Sequence, residues 1–333
     1  MIKKYLALIL CVLIATTANA QFFKKSKSKI SSEQSFVTAL QAYQQQDYIK
    51  AINLLTPLSK KGYAPAQEQL AYMYQYGIGV NKDLSEARRI YKKLYVYYQD
   101  QADLGNIEAK YQLAQMYYSG NGVPENIPEA IVWFTKAGEQ GHLISQYKLA
   151  LLYDSGQKAP KDIPASIYWY IKAANQGHAN SQMFLAIKYF RGRDVERNYQ
   201  LAAQWFEKSA EQGIAYSQST LGFMYASGLG VEVDKQKALF WYTQGAEQGD
   251  KESQYDLALK LKNGDGIAKN SVESAKWFHK AAQNGQMAAQ FELAQLYRDG
   301  VGVKQDNVLA YAWFNVAIIN GYYPANKPRD LLT

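Results

Sequence analysis

Apolar and polar positions along this chain recur in steps of thirty-six residues. The tryptophans stand at Trp133, Trp169, Trp205, Trp241, Trp277 and Trp313, each followed by an aromatic: Phe134, Tyr170, Phe206, Tyr242, Phe278 and Phe314. Leucine keeps the same step at Leu113, Leu149, Leu185, Leu221, Leu257 and Leu293, and glycine does so from Gly105 to Gly321. Between them an acid-or-amide column runs Asn126, Asp162, Asn198, Asp234, Asn270, Asp306. Upstream the spacing shifts by seven residues, so that Leu70, Gly62 and Asp83 fill these columns. Such a period means stacked copies of one supersecondary unit.

Each unit predicts two helices. The first carries the leucine and, four residues on, an aromatic (Tyr74, Tyr117, Tyr153, Tyr189, Tyr225, Tyr297) on the same face. Gly77, Gly120, Gly156, Gly192, Gly228, Gly264 and Gly300 then stop it, because glycine takes the left-handed conformation without a Cβ clash. The second helix starts at the Asx column, whose side chain accepts the free first-turn N–H groups. Pro128 and Pro164 sit two residues past that cap, where a missing N–H costs little. The Trp-aromatic pair of this helix is expected in the core. No segment alternates with period two long enough for a strand, so the fold class is all-α.

Residues 1–20 do not belong to the array. Lys3 and Lys4 precede the apolar run Leu6–Ala15, and Ala18-Asn19-Ala20 has the small-x-small form of a cleavage site, the pattern of a secretory signal peptide. The run is shorter than the roughly 20 residues that span a bilayer. Bulky Leu10 before Cys11 argues against a lipid anchor, and cleavage leaves a mature chain without cysteine. A periplasmic location is expected. The formal charge of +8 shrinks once Lys3, Lys4 and the basic linker arm of residues 21–31 are set aside. Residues 31–333 hold 31 basic and 29 acidic side chains, which gives no electrostatic footprint for nucleic acid.

Stretches such as Ser217-Gln218, Leu221-Gly222-Phe223-Met224-Tyr225, Gly228-Leu229-Gly230-Val231, Asp234, Ala238, Trp241-Tyr242 and Gln248-Gly249 resemble the Sel-1-like repeat family, relatives of tetratricopeptide repeats. On that resemblance residues 63–321 form seven repeats, with the second helix of the first lengthened by seven residues. Residues 32–62 look like a plain tetratricopeptide unit, and 322–333 are a C-terminal tail. The resemblance implies a right-handed α-solenoid whose first helices line a concave groove. It also implies a non-enzymatic scaffold or adaptor that binds a protein partner, or an immunity protein against a toxin. Lys158 and Asp194 replace the second turn glycine, so those two turns are expected to differ. Some exported members pair cysteines within each repeat and bind penicillin; this chain lacks those cysteines.

A rival of another class, an envelope hydrolase or β-lactam-binding protein, needs a convergent nucleophile and base. Ser145-Gln146-Tyr147-Lys148 matches S-x-x-K, but Ser-Asp-Asn and Lys-Thr-Gly are missing. Ser145 also shares a column with Ser181, Ser217 and Ser253. His142 and His178 lie one repeat apart, just before a helix start, and are expected to cap it; His279 stands beside the Trp277 pair. No metal, cofactor or catalytic set emerges, and a monomer is expected.

Partner-binding candidates come from columns that vary between units, two and five residues after the leucine. Tyr72, Tyr118, Phe190 and Phe223 are their aromatic members, and aromatics dominate binding hot spots. Packing between repeats is the competing reading. Around the insertion, Tyr95, Tyr97 and Tyr98 are expected on two added turns that project beyond the array, or else form a local cap.

Overall fold

The computed structural model describes residues 20–331, and side chains within residues 31–331. The leader expected over residues 1–20 lies outside the described residues except for Ala20. Among the described residues are seventeen α-helices, a 3-10 turn at Tyr323–Ala325, and no strand. The chain divides into two compact units, residues 1–145 and 146–333.

The first unit holds α1 (Ala20–Gln44), α2 (Tyr48–Lys60), α3 (Ala64–Tyr76), α4 (Leu84–Asp103), α5 (Ile107–Ser119) and α6 (Ile127–Glu139). From α1 to α6 consecutive helices pack on one another. The boundary between the units falls inside α7 (Leu143–Ser155). The second unit continues with α8 (Ile163–Asn175), α9 (Ala179–Arg191), α10 (Tyr199–Glu211), α11 (Ala215–Ser227), α12 (Lys235–Glu247), α13 (Lys251–Asn263), α14 (Ser271–Gln283), α15 (Met287–Asp299), α16 (Asn307–Ile319) and α17 (Asn326–Asp330). From α8 onward these too pack consecutively. This is the helix-pair pattern of an α-helical repeat solenoid.

Local chemistry sets the helix ends. Asp47, Asp83, Asn126, Asp162, Asn198, Asp234, Asn270 and Asp306 each accept a first-turn backbone N–H. Where the first helix pair, α1 and α2, lacks a turn glycine, Gln46 takes the left-handed conformation itself, at φ 63°. A second turn glycine has another duty. At Gly230 a Cβ would stand 2.2 Å from the Tyr199 carbonyl, so only glycine lets the turn lie on the start of the preceding α10.

The core corrects one expectation. The fully enclosed aromatic of each second helix is the residue after the tryptophan: Phe134, Tyr170, Phe206, Tyr242, Phe278 and Phe314. Of the tryptophans only Trp169 is buried; Trp133, Trp205, Trp241, Trp277 and Trp313 are half-buried at the core edge. One helical position turns the side chain about 100°, enough to move it to the rim. There Lys136, Lys208 and Lys280 lie over Trp133, Trp205 and Trp277, with ammonium-to-ring distances of 3.9, 4.5 and 3.9 Å.

A glutamine ladder ties neighbouring repeats of the second unit together. The side-chain amides of Gln176, Gln212 and Gln248 donate to the side-chain carbonyls of Gln146, Gln182 and Gln218, each at 2.7 Å. Gln182 and Gln218 in turn donate to the Ala174 and Ala210 carbonyls. Buried amides demand partners, and Gln182 and Gln218 each find one in a glutamine of their own helix pair and another in a carbonyl of the pair before it.

One α-helix, Ala20–Gln44, runs through the stretch expected as a linker arm. That stretch has no proline or glycine to stop it. The seven-residue insertion also works differently from a projecting tip. Tyr91, eight residues past the Asp83 cap, donates to Gln75, as Tyr170, eight past Asp162, donates to Asp154. Tyr98, seven residues before Gly105, stands as Phe134 does before Gly141 and is likewise buried. The turn of the following repeat rests on Tyr91, where a Cβ at Gly122 would meet its carbonyl at 2.7 Å. Helix α4 therefore serves two registers seven residues apart, about 10 Å along its axis.

Candidate protein-binding surface

The open face of the first helices is built from positions two and five residues past the buried leucine. In the first unit Tyr72 is 39 % exposed, its ring against that of Tyr76 at 4.6 Å. Tyr76 is more open still, and the sequence reading passed over it. Its column reads Ser119, Ser155, Arg191, Ser227, Asn263 and Asp299 elsewhere, so a lone aromatic was the available signal.

Tyr118 is half-buried, its edge on Phe134 at 6.4 Å. In the second unit Phe190 packs on Tyr199 at 5.4 Å and Phe206 at 6.2 Å. Both belong to the packing that competed with the binding reading. Phe223 differs: it is 45 % exposed. Around it the same column supplies half-buried Leu151, Ile187 and Leu259, one from each of α7, α9 and α13. Those four residues make an apolar row across successive first helices, with Phe223 as its most open member.

The three tyrosines of α4 part company. Tyr98 is 8 % exposed and donates its hydroxyl to Glu68. Tyr95 is half-buried, with its hydroxyl 2.9 Å from that of Tyr117. Tyr97 alone is open, and its ring meets Tyr98 edge-on at 5.3 Å. They do not form one projecting patch, because α4 turns Tyr98 toward α3.

Beside the apolar row lies a charged cluster. Buried Lys188 donates to Asp154 at 2.6 Å and to Asp194 at 2.8 Å. Burial pulls the Lys188 ammonium down, but the two carboxylates outweigh it and the net shift is upward. The Lys188 hydrogen bond holds the Asp194 carboxyl below its ordinary range. This explains the departure at Asp194. Its φ is not left-handed, unlike Gly230 in the same column, and its carboxylate gives buried Lys188 a second acceptor beside Asp154. The backbone at Lys158 likewise avoids positive φ.

The candidate nucleophile is placed with equal clarity. Ser145 Oγ lies 2.9 Å from His142 Nδ1, and His142 Nε2 lies 3.3 Å from a Glu108 carboxylate oxygen. That chain mimics a serine–histidine–acid triad. Ser145 is fully enclosed, however, and an attacking oxygen must be within reach of a carbonyl. His142 Nδ1 also accepts the Ser145 backbone N–H, which makes it a helix cap. His178 and Ser181 repeat the arrangement, so the pair is a feature of the repeat. His279 meets Trp313, ring centres 5.9 Å apart, rather than Trp277. Among the described residues no group of three or more His, Cys, Asp or Glu side chains has metal-binding geometry, and no helix is long and apolar enough to cross a membrane.

Comparison with known proteins agrees with this geometry. The Sel1 repeat model matches residues 64–95, 107–142, 143–178, 179–214, 215–250, 251–286 and 288–322. A protective antigen of uropathogenic Escherichia coli with an SLR fold superposes with a TM-score of 0.73 at 31% identity, covering 94% of this chain and 67% of that one. A Sel1 repeat protein from Oxalobacter formigenes gives 0.66 at 27% identity, covering 94% and 90%. An exopolysaccharide production negative regulator of Rhizobium meliloti is 30% identical over 102 residues, 27% of this chain and 36% of the regulator. The chain thus spans about a third of that relative's length. Seven matched repeats over most of its length mean that the chain belongs to the Sel1 repeat family.

Proposed function

We propose that the protein is a non-enzymatic scaffold of the periplasm that binds a protein partner through the open face of its first helices. The apolar row Leu151, Ile187, Phe223, Leu259 carries the reading, with Tyr72 and Tyr76 as a second aromatic contact in the first unit. A row spaced one repeat apart suits an apolar segment of a partner laid across the helices. Buried Ser145 supports a scaffold over a hydrolase, since the residue that most resembles a nucleophile is enclosed and bonded to the histidine that caps its helix. The Lys3–Ala20 pattern supports export.

The test is capture from a native envelope extract with wild-type protein and with Tyr72→Ala/Phe223→Ala. A stoichiometric protein retained by wild type and lost at least tenfold by the variant, at an unchanged melting temperature, is the expected result. Equal capture by both places the contact elsewhere.

A further inference from the structure

Helix α16 differs from every second helix before it. Its sequence, Asn307 to Ile319, contains no charged residue. Position 316 is valine where the preceding repeats, in chain order, have Lys136, Lys172, Lys208, Gln244 and Lys280. Position 319 is isoleucine where they have Glu139, Asn175, Glu211, Glu247 and Gln283. Val308, Ala312, Val316 and Ile319 follow i, i+4, i+8, i+11, so they form one stripe. Val308 is 78 % and Ile319 82 % exposed, with Leu309 and Tyr311 open on either side. We propose that this stripe is an isologous contact between two copies of the chain, joined about a two-fold axis through α16.

Three observations select a second copy as the occupant. In an isologous contact, residues near the axis face their own copies, so any charge there meets its own sign; α16 carries none, and Arg329, which donates to its Asn315, is ion-paired with Asp330. The area also comes close to that of a stable pair. Tyr323 and Leu331, just beyond α16, are exposed as well, bringing the open large apolar side chains to seven. At roughly 100 Å² apiece, scaled from the 150–250 Å² of a whole aromatic side chain, they approach the ~800 Å² per partner of a stable interface. The third observation concerns closure. Ile318 stands where the earlier second helices carry Gly138, Ala174, Ala210, Ala246 and Ala282, all buried. It packs in one cluster with Tyr322 and Ala325 of the chain's own last turn, which takes the place that a further first helix would need. Open-ended head-to-tail growth is disfavoured, while a closed pair is not.

Sedimentation equilibrium of the full chain, expressed with its own leader, tests the proposal alongside Val316→Lys/Ile319→Glu. These substitutions restore residue types found in the preceding repeats, so the fold should tolerate them. Wild type should be a dimer with a dissociation constant at or below the micromolar range. The double variant should weaken it at least a hundredfold at an unchanged circular dichroism melt. If that variant melts early, Ala312→Cys decides: it should form an intermolecular disulfide beyond any wild-type background. A wild type monomeric at 100 μM (a concentration about a hundredfold above the expected constant) overturns the proposal. So does assembly beyond a dimer, a dimer untouched by the variant, absence of the cross-link, or a monomer that sediments with neutral lipid vesicles through the stripe.

Discussion

Phe206 and Trp205 are sequence neighbours whose replacement should have unequal effects. The Phe206 ring is wholly enclosed, so Phe206→Ala should cost about 3–5 kcal/mol through lost burial and the cavity left behind. Trp205 is half-buried with Lys208 over its ring, and Trp205→Ala should cost clearly less. Denaturant melts of the two variants check the order; equal losses would mean that the rim carries as much as the core. Asp256 offers a second test at this scale. Burial pushes its carboxyl up to about 6, and Glu252 adds to this, while Lys260 and the Tyr242 hydroxyl oppose it. The folded chain therefore holds that proton more tightly than the unfolded chain, whose aspartates titrate near 3.9. Between about pH 4 and 6 the native state binds more protons, so this group's contribution to stability falls as pH rises and is level above about 6. Two pKa units correspond to about 3 kcal/mol at most. Asp256→Asn should flatten the decline, as stability measured from pH 4 to 7 would reveal.

At the scale of the element, glycines divide by what surrounds them. Gly213 has φ +85° and nothing within 4 Å of a built Cβ, so Gly213→Ala should cost only the left-handed strain of about 1–2 kcal/mol. Gly230 has φ +72° and a carbonyl 2.2 Å away, so Gly230→Ala adds overpacking and should cost about 2–5 kcal/mol. Similar melts would show that the turn yields easily. Helix ends were readable from sequence because Asx caps and glycines are local devices that recur at fixed offsets. The ends of α4 and its seven added residues were readable too, but its inward aromatic was not, because the register depends on the end from which it is counted. From Asp83 the aromatic is Tyr91; from Gly105 it is Tyr98, and the structure uses both. The Trp-aromatic pair failed for a related reason. Recurrence marks a column as structural without saying which member of the pair faces inward.

The molecule as a whole shows why binding residues are harder to read than fold. Variation between repeats frees a column from building the repeat, yet Asp154 and Lys262 in one variable column are tied sideways to Lys188 and Glu292. Exposure separates Tyr72 and Phe223 from Tyr118 and Phe190, and exposure depends on neighbouring repeats. The last expectation concerns export. With residues 1–20 removed, the chain loses two of its positive charges and its single cysteine. The array would then fold without a disulfide, through aromatic burial and the glutamine ladder. Mass spectrometry of the periplasmic fraction should find Gln21 as the first residue. The purified protein should melt at the same temperature with and without dithiothreitol. A form retaining Met1 would overturn export by cleavage, and a reductant-sensitive melt would show that Cys11 survives in a bond the mature chain cannot make.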